Sequence, residues 1–203
     1  MNKSIMAKEF YISVDIETAG TVPEKYSMLS IGAVIVGQSD KEFYRELKPI
    51  NFNFEKEALD VCRNCFSEDT QAHLSEMGDK KPSDILYALQ DIGHEPGEVM
   101  EDFYAWVKEV SPKNSRPLFL GYNASFDWQF INQYFSKYVG ENPFRYDPVD
   151  IKSYYMGKNK MLWTDISKKA IRREYGLEDN ELPHNALFDA KEQAEIFEEL
   201  LKD

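Results

Sequence analysis

The sequence predicts an α/β fold: a mixed sheet, in which an antiparallel β-meander is extended by parallel strands, flanked by helices. Three observations predict it. Three apolar segments near the start follow one another too closely for parallel crossovers, which need a dozen or more residues. After them, helical stretches and short apolar runs alternate to the end of the chain. And 203 residues, 42% hydrophobic and 14% aromatic, suffice for the core of one domain spanning 1–203.

The elements follow in order. Residues 10–16, 28–36 and 42–47 read as the meander strands, separated by turn-prone stretches. Residues 55–110 read as a helical insertion within the domain, broken by glycine and proline near 78–82 and 93–97. PLFLGYN, residues 117–123, is a short buried strand that runs into a helix from about 126 to 138. Residues 147–151 are either a last strand or a helix entry. A helix over 164–175 takes Thr164 as N-cap and Gly176 as its stop. Residues 186–201 form the final helix.

Composition narrows the class further. No apolar run approaches a transmembrane length, and the first ten residues, MNKSIMAKEF, lack the apolar core of a signal peptide. Cytoplasmic residence is the expectation, with no membrane partner. Cys62 and Cys65 would give half a zinc site, with His73 the nearest further candidate. A structural zinc takes four ligands, so they read as two reduced thiols on a helix. The formal net charge of −12 is unevenly placed. Residues 55–109 carry 14 acids and 5 bases, whereas residues 152–173 carry 7 bases and one acid. The second segment is a basic surface in an acidic protein.

Four acids stand where apolar residues are expected. In VDIETAG, Asp15 and Glu17 close an apolar strand, and residues i and i+2 of a strand share a face. Asp127 shares a helical face with Phe130, Ile131, Tyr134, Phe135 and Tyr138, in the first turn where the helix dipole favours an anion. A dipole role explains its place along the helix but not its face. Asp189 shares the inward face of the last helix with Ala186, Gln193, Ile196 and Leu200, and His184 precedes it by five residues in LPHNALFDA. Alone, His184 is a loop or cap histidine. Together, the acids are hard oxygen ligands of the kind that suits magnesium or manganese. Two such ions could clamp a phosphate for in-line displacement, with a neutral histidine taking the proton of the attacking water.

At this point a family is recognisable. DIET at 15–18, NASFD at 123–127 and HNALFD at 184–189 resemble the three exonuclease motifs of the DEDDh family, 3′–5′ exonucleases on a ribonuclease H-like fold. The resemblance spans nearly the whole chain in order and spacing. It implies that Asp15, Glu17, Asp127 and Asp189 bind two divalent cations, Mg2+ or Mn2+, and that His184 is the general base. It implies that Thr18 and Ala19 touch the terminal nucleotide, and that Asn123 and Phe126 support or contact the substrate. The implied activity is release of nucleoside 5′-monophosphates from 3′ ends of single-stranded RNA or DNA, and the implied assembly includes a homodimer. The chain departs from many relatives at Ser30 in LSIGAV, where they read E-I-G-A-V, which leaves subfamily and substrate open. Two rivals remain: a catalytically idle module that binds a nucleic-acid end or a protein, and a phosphodiesterase for dinucleotides. The insertion is either a solvated cover or a device that limits access or binds a partner.

The basic segment has two readings. Lys168, Lys169, Arg172 and Arg173 are a solvated face, or they track phosphates of the strand upstream of the cleaved end. The second reading makes all four substrate-binding residues. Trp163, Tyr154 and Tyr155 then stack on unpaired bases, or else fill the core.

Overall fold

The computed structural model describes residues 9–78, 81–113, 115–178, 180 and 182–202. The meander is present as β1 (Phe10–Thr18), β2 (Met28–Ile35) and β3 (Gln38–Glu46), paired antiparallel. Then come α1 (Lys56–Cys62), α2 (Glu68–Met77), α3 (Asp84–Ile92) and α4 (Pro96–Val110). A parallel strand β4 (Pro117–Gly121) leads to α5 (Ser125–Tyr138). The two-residue β5 (Val149–Asp150) enters α6 (Ile151–Asn159) directly, so both readings of that stretch hold. A single 3-10 turn (Trp163–Asp165), α7 (Lys168–Tyr175) and α8 (Ala186–Lys202) complete the described elements. The sheet order is β3-β2-β1-β4-β5, with β1, β4 and β5 parallel.

The sheet has a core on each face. Ile12, Val14 and Ile16 alternate along β1 toward α4 and α5, where Phe103, Phe119, Phe130 and Phe135 fill the space. The odd-numbered neighbours, Ser13, Asp15 and Glu17, therefore face the other way. That other face receives α8, which packs along β1 and β2. Gly32 makes the approach possible: a Cβ there would lie 2.3 Å from the backbone of Ala186 and Leu187. The start of α8 is thus pressed onto the sheet beside the acids of β1.

Two expectations are refined, and a third falls partly outside the described residues. Residues 55–110 hold four helices between β3 and β4, divided between two cores. The helices α1, α2 and α3 form their own cluster with Tyr26, Leu29 and Ala19, but Val99, Met100, Phe103 and Val107 of α4 belong to the main core. The helix expected from Thr164 starts at Lys168. Ile166 is buried against α8 and α6, which forces an extended backbone at that residue, and the Ser167 side chain then accepts from Ala170 N. The break expected at 78–82 includes Asp79 and Lys80, which lie outside the described residues; Gly78, at φ 90°, ends α2 in the left-handed region.

Candidate active site

The four core-facing acids and His184 line one open cavity of about 370 Å³. Asp15 and Glu17 reach it from the end of β1, Asp127 from the first turn of α5, and Asp189 from the first turn of α8. The topology explains the meeting. β1 and β4 are parallel neighbours, so their C-terminal ends, and the helix following β4, open on the same edge. Binding crevices of open α/β sheets form at such edges.

Each acid is held. The Asp15 Oδ1 accepts from Gln193 Nε2 at 2.5 Å, and the Gln193 Oε1 accepts from Tyr122 N at 3.0 Å. One α8 amide thereby ties the acid of β1 to the exit of β4. The Asp127 Oδ1 accepts from Ile16 N at 3.2 Å. The Asp189 Oδ2 accepts from the backbone N of His184 at 2.9 Å, and its Oδ1 from Lys168 Nζ at 3.0 Å and Asn180 Nδ2 at 2.9 Å. His184 stands at φ 65°, a left-handed backbone uncommon outside glycine and asparagine, and its side chain is exposed.

The electrostatics are those of crowded like charges. Burial, then Asp127, Asp189 and Glu17, raise Asp15 well above the ordinary carboxylate range. Burial, then Asp189 and Asp127, do the same to Glu17. Burial pushes Asp127 up to about 7, against the lowering effect of backbone N–H donors. Such a cluster fits a cation. Glu17, His184 and Asp189 each bring a ligand atom within 4.8 Å of the other two. Carboxylate oxygens with one imidazole suit a hard or borderline divalent ion.

The chain from residue 10 to 201 matches the family described as the 3′-5′ exoribonuclease Rv2179c-like domain. The chain belongs to this family. It is 38% identical over 195 residues to the 3′-5′ DNA exonuclease Cap18 of Escherichia coli, covering 94% of this chain and 90% of that one. It is 27% identical over 205 residues to the ribonuclease T of Hahella chejuensis, covering 96% and 86%. Among solved structures, the nuclease domain of 3′hExo, a DEDDh family member bound to rAMP, superposes with a TM-score of 0.70 at 15% identity, over 96% of this chain and 92% of that one. The enzyme is a 3′–5′ exonuclease on the DEDDh, ribonuclease H-like fold.

The remaining expected residues of this Rv2179c-like enzyme divide. Asn123 and Phe126 line the cavity, with Asn123 in the left-handed region at φ 56°. Asp150 fixes their loop, its Oδ2 accepting from Ala124 N at 2.7 Å. Thr18 and Ala19 are buried just beyond Glu17, and the Thr18 hydroxyl donates to Gly20 O. The basic helix splits by residue. Lys169 and Arg173 are exposed. Arg172 is buried and held by Glu192 and Glu195 at 3.2 and 3.6 Å, which removes it from the strand-tracking surface expected of it. Lys168 lies inside the cavity among the acids instead of on a solvated face. Tyr155 is buried, with its hydroxyl on Glu174, while Tyr154 and Trp163 are partly exposed and Lys152 Nζ sits 4.3 Å over the Trp163 ring.

The sequence did not single out Lys168 as a cavity residue, nor Gln193 and Tyr122. Gln193 carried a signal, since it sits one turn from Asp189 on the same inward face. Lys168 carried none, because its partners are 21 and 24 residues away on another helix. The cysteines also have a use beyond filling space. Both are reduced and buried. The Asn185 Nδ2 donates to Cys65 O at 2.6 Å, and the Cys65 Sγ donates to Pro183 O at 3.0 Å. The turn after α1 therefore grips both neighbours of His184.

Proposed function

We propose that the chain hydrolyses the terminal phosphodiester bond at the 3′ end of single-stranded RNA or DNA and releases nucleoside 5′-monophosphates, using two divalent cations, Mg2+ or Mn2+. The observation that carries this reading is the convergence of Asp15, Glu17, Asp127, Asp189 and His184 on one cavity. Its volume, about 370 Å³, has room for one terminal nucleotide.

The four acids would hold the ions. Bound there, divalent cations supply a nucleophilic water at neutral pH and steady the charge on the leaving 3′-oxygen. The chain's own residues do the rest. His184 takes the proton of the attacking water at a ring nitrogen and must be neutral to do so. Its loop is fixed to Asp189 through its backbone N–H and to the α1–α2 turn through Pro183 and Asn185, which ties the base to one of the acids. Gln193 orients Asp15. Asn123 and Phe126 border the cavity and meet the last nucleotide. Thr18 and Ala19 follow Glu17 directly in the chain, and the Thr18 hydroxyl is donated to Gly20 O. We read the enzyme as accepting both sugars. The relative at 38% identity is named for DNA and the family for RNA, in line with this. The described sheet and its covering helices carry all these residues, so we read the chain as one exonuclease domain.

No described helix is long and apolar enough to cross a membrane. The decisive experiment is a length series of labelled RNA and DNA, single- and double-stranded, with Mg2+, Mn2+ or chelator. Stepwise shortening from the 3′ end with mononucleotide release, faster on single strands and abolished by chelator, is expected. Cleavage confined to dinucleotides, or cleavage insensitive to chelator, overturns the reading.

A further inference from the structure

We propose that Lys168 is a tethered counter-cation that competes with the divalent ion for Asp189. The inference rests on the metal-dependent reading above. Lys168 is the first residue of α7, and Ser167 caps the helix while Ile171 anchors it in the core. That places the lysine stem over α8 and its ammonium in the cavity. The Nζ lies 3.0 Å from Asp189 Oδ1 and 2.9 Å from Glu192 Oε2. The ammonium is thus ion-paired on two sides, once to a cavity acid and once to a neighbour on α8.

The two anchors differ. Asp189 belongs to the acids proposed to bind metal; Glu192 does not line the cavity. Glu192 sits three residues on, one turn along the same helix, where side chains are neighbours. A divalent ion and an ammonium repel each other across one carboxylate oxygen. Glu192 gives the ammonium a carboxylate to keep when Asp189 is taken, and Asn180 Nδ2 spans the same pair at 2.9 and 3.3 Å. Lys168 thus relieves the crowded acids before loading and sets a threshold on the ion concentration at which the site fills. A phosphate-tracking lysine would be exposed and free to swing, as Lys169 is; the Lys168 side chain is 28% exposed and pinned at both sides.

The test is calorimetric titration of chelator-treated protein with Mn2+, alongside thermal melts without metal. Lys168→Met should melt lower without metal yet bind Mn2+ about tenfold more tightly, the effect of removing one close charge. Lys169→Met, which removes the neighbouring exposed charge, should leave the affinity close to wild type. Should Lys168→Met not fold, Lys168→Gln takes its place with the same expectation. Equal or weaker Mn2+ affinity in the Lys168 variant, with binding intact in wild type, overturns the proposal alone. No Mn2+ binding in either protein overturns the metal reading and the proposal together.

Discussion

Two carboxylate sites sit on the same face of the sheet, two strands apart, and they are built on opposite principles. Glu17 on β1 pairs with Ser30 on β2, and Ser30 pairs with Glu46 on β3. Glu46 is saturated: it accepts from the Tyr44 hydroxyl, from Ser67 N and Oγ, and from the Thr70 hydroxyl. Neutral donors satisfy it, and it fixes the start of α2. Among the described residues no donor reaches Glu17, and Asp15, Asp127 and Asp189 crowd the same space. A buried carboxylate with its donors is a structural part. Buried carboxylates that repel one another with few donors mark a place kept for a cation. Ser30 lies between the two sites, buried, its hydroxyl without a hydrogen-bond partner. A glutamate there, as in the related E-I-G-A-V sequences, would stand between Glu17 and Glu46.

Substitution on each side should therefore act with opposite sign on stability and very unequally on rate. Asp15→Asn should bring turnover to the detection limit while raising the melting temperature of metal-free protein. The pH dependence carries the same sign. Asp127 keeps its proton up to about 7 in the folded state, against about 4 when unfolded. The native state then binds more protons over that interval, so metal-free stability falls as pH rises from about 4 to 7. Asp15→Asn removes a second carboxyl that is held well above the ordinary range in the folded state, and should flatten that fall. Activity at saturating Mg2+ close to wild type would remove Asp15 from the mechanism.

His184→Ala tests the chemistry and not the crowding. A general base contributes roughly 10²–10⁴ in kcat, and a loss in that range is expected, with Mn2+ affinity largely kept because all four acids remain. The pH profile of kcat should change when the ring is lost. A full rate and an unchanged profile would make His184 a loop histidine.

Glu46→Gln should do the reverse of Asp15→Asn. Its donors would face an amide that accepts at one atom only, at a cost of about 1–3 kcal/mol. Melting should drop by several degrees while kcat at low temperature stays close to wild type. A rise in melting temperature would make Glu46 another crowded acid and erase the contrast.

The sequence made the acid site more legible than the architecture around it. Asp15, Glu17, Asp127 and Asp189 were visible because each breaks a local period, apolar alternation in a strand or an inward helical face. Strand β1 was foreseen to within two residues at its end. The role of α4 was not legible, because helices covering a sheet and helices of an insertion share the same amphipathic pattern. Thr164 and Ser167 are both valid caps by residue type. Burial of Ile166 decides between them, and that is a tertiary fact. Lys168 was misplaced for a related reason: a run of Lys168, Lys169, Arg172 and Arg173 looks like one solvated face until α8 is laid beside it. Glu192 and Glu195 then draw Arg172 in, and Asp189 and Glu192 draw Lys168 in, leaving two of the four outside.

Those two carry the smallest expected effect. Lys169 and Arg173 lie on the exposed side of α7, and Lys152 and Trp163 present a further cation over a partly exposed ring close by in the chain. In a chain of net charge −12, a strand approaching the cavity is repelled over most of the surface. A single-stranded substrate releases roughly 0.7 counterions per neutralised phosphate. Reversing both residues, Lys169→Glu with Arg173→Glu, should therefore reduce the salt slope of binding by about one to two units and raise KM for long oligomers severalfold. Dinucleotide hydrolysis should hardly change, since so short a substrate stays within the cavity. Lys168 and Arg172 are left intact in this variant, which keeps Asp189 and the α7–α8 contact undisturbed. Equal changes on dinucleotides and long oligomers would mean that the pair acts through the site and not along the strand. No change on either would leave α7 as a brace for the cavity, its outward charges serving solubility alone.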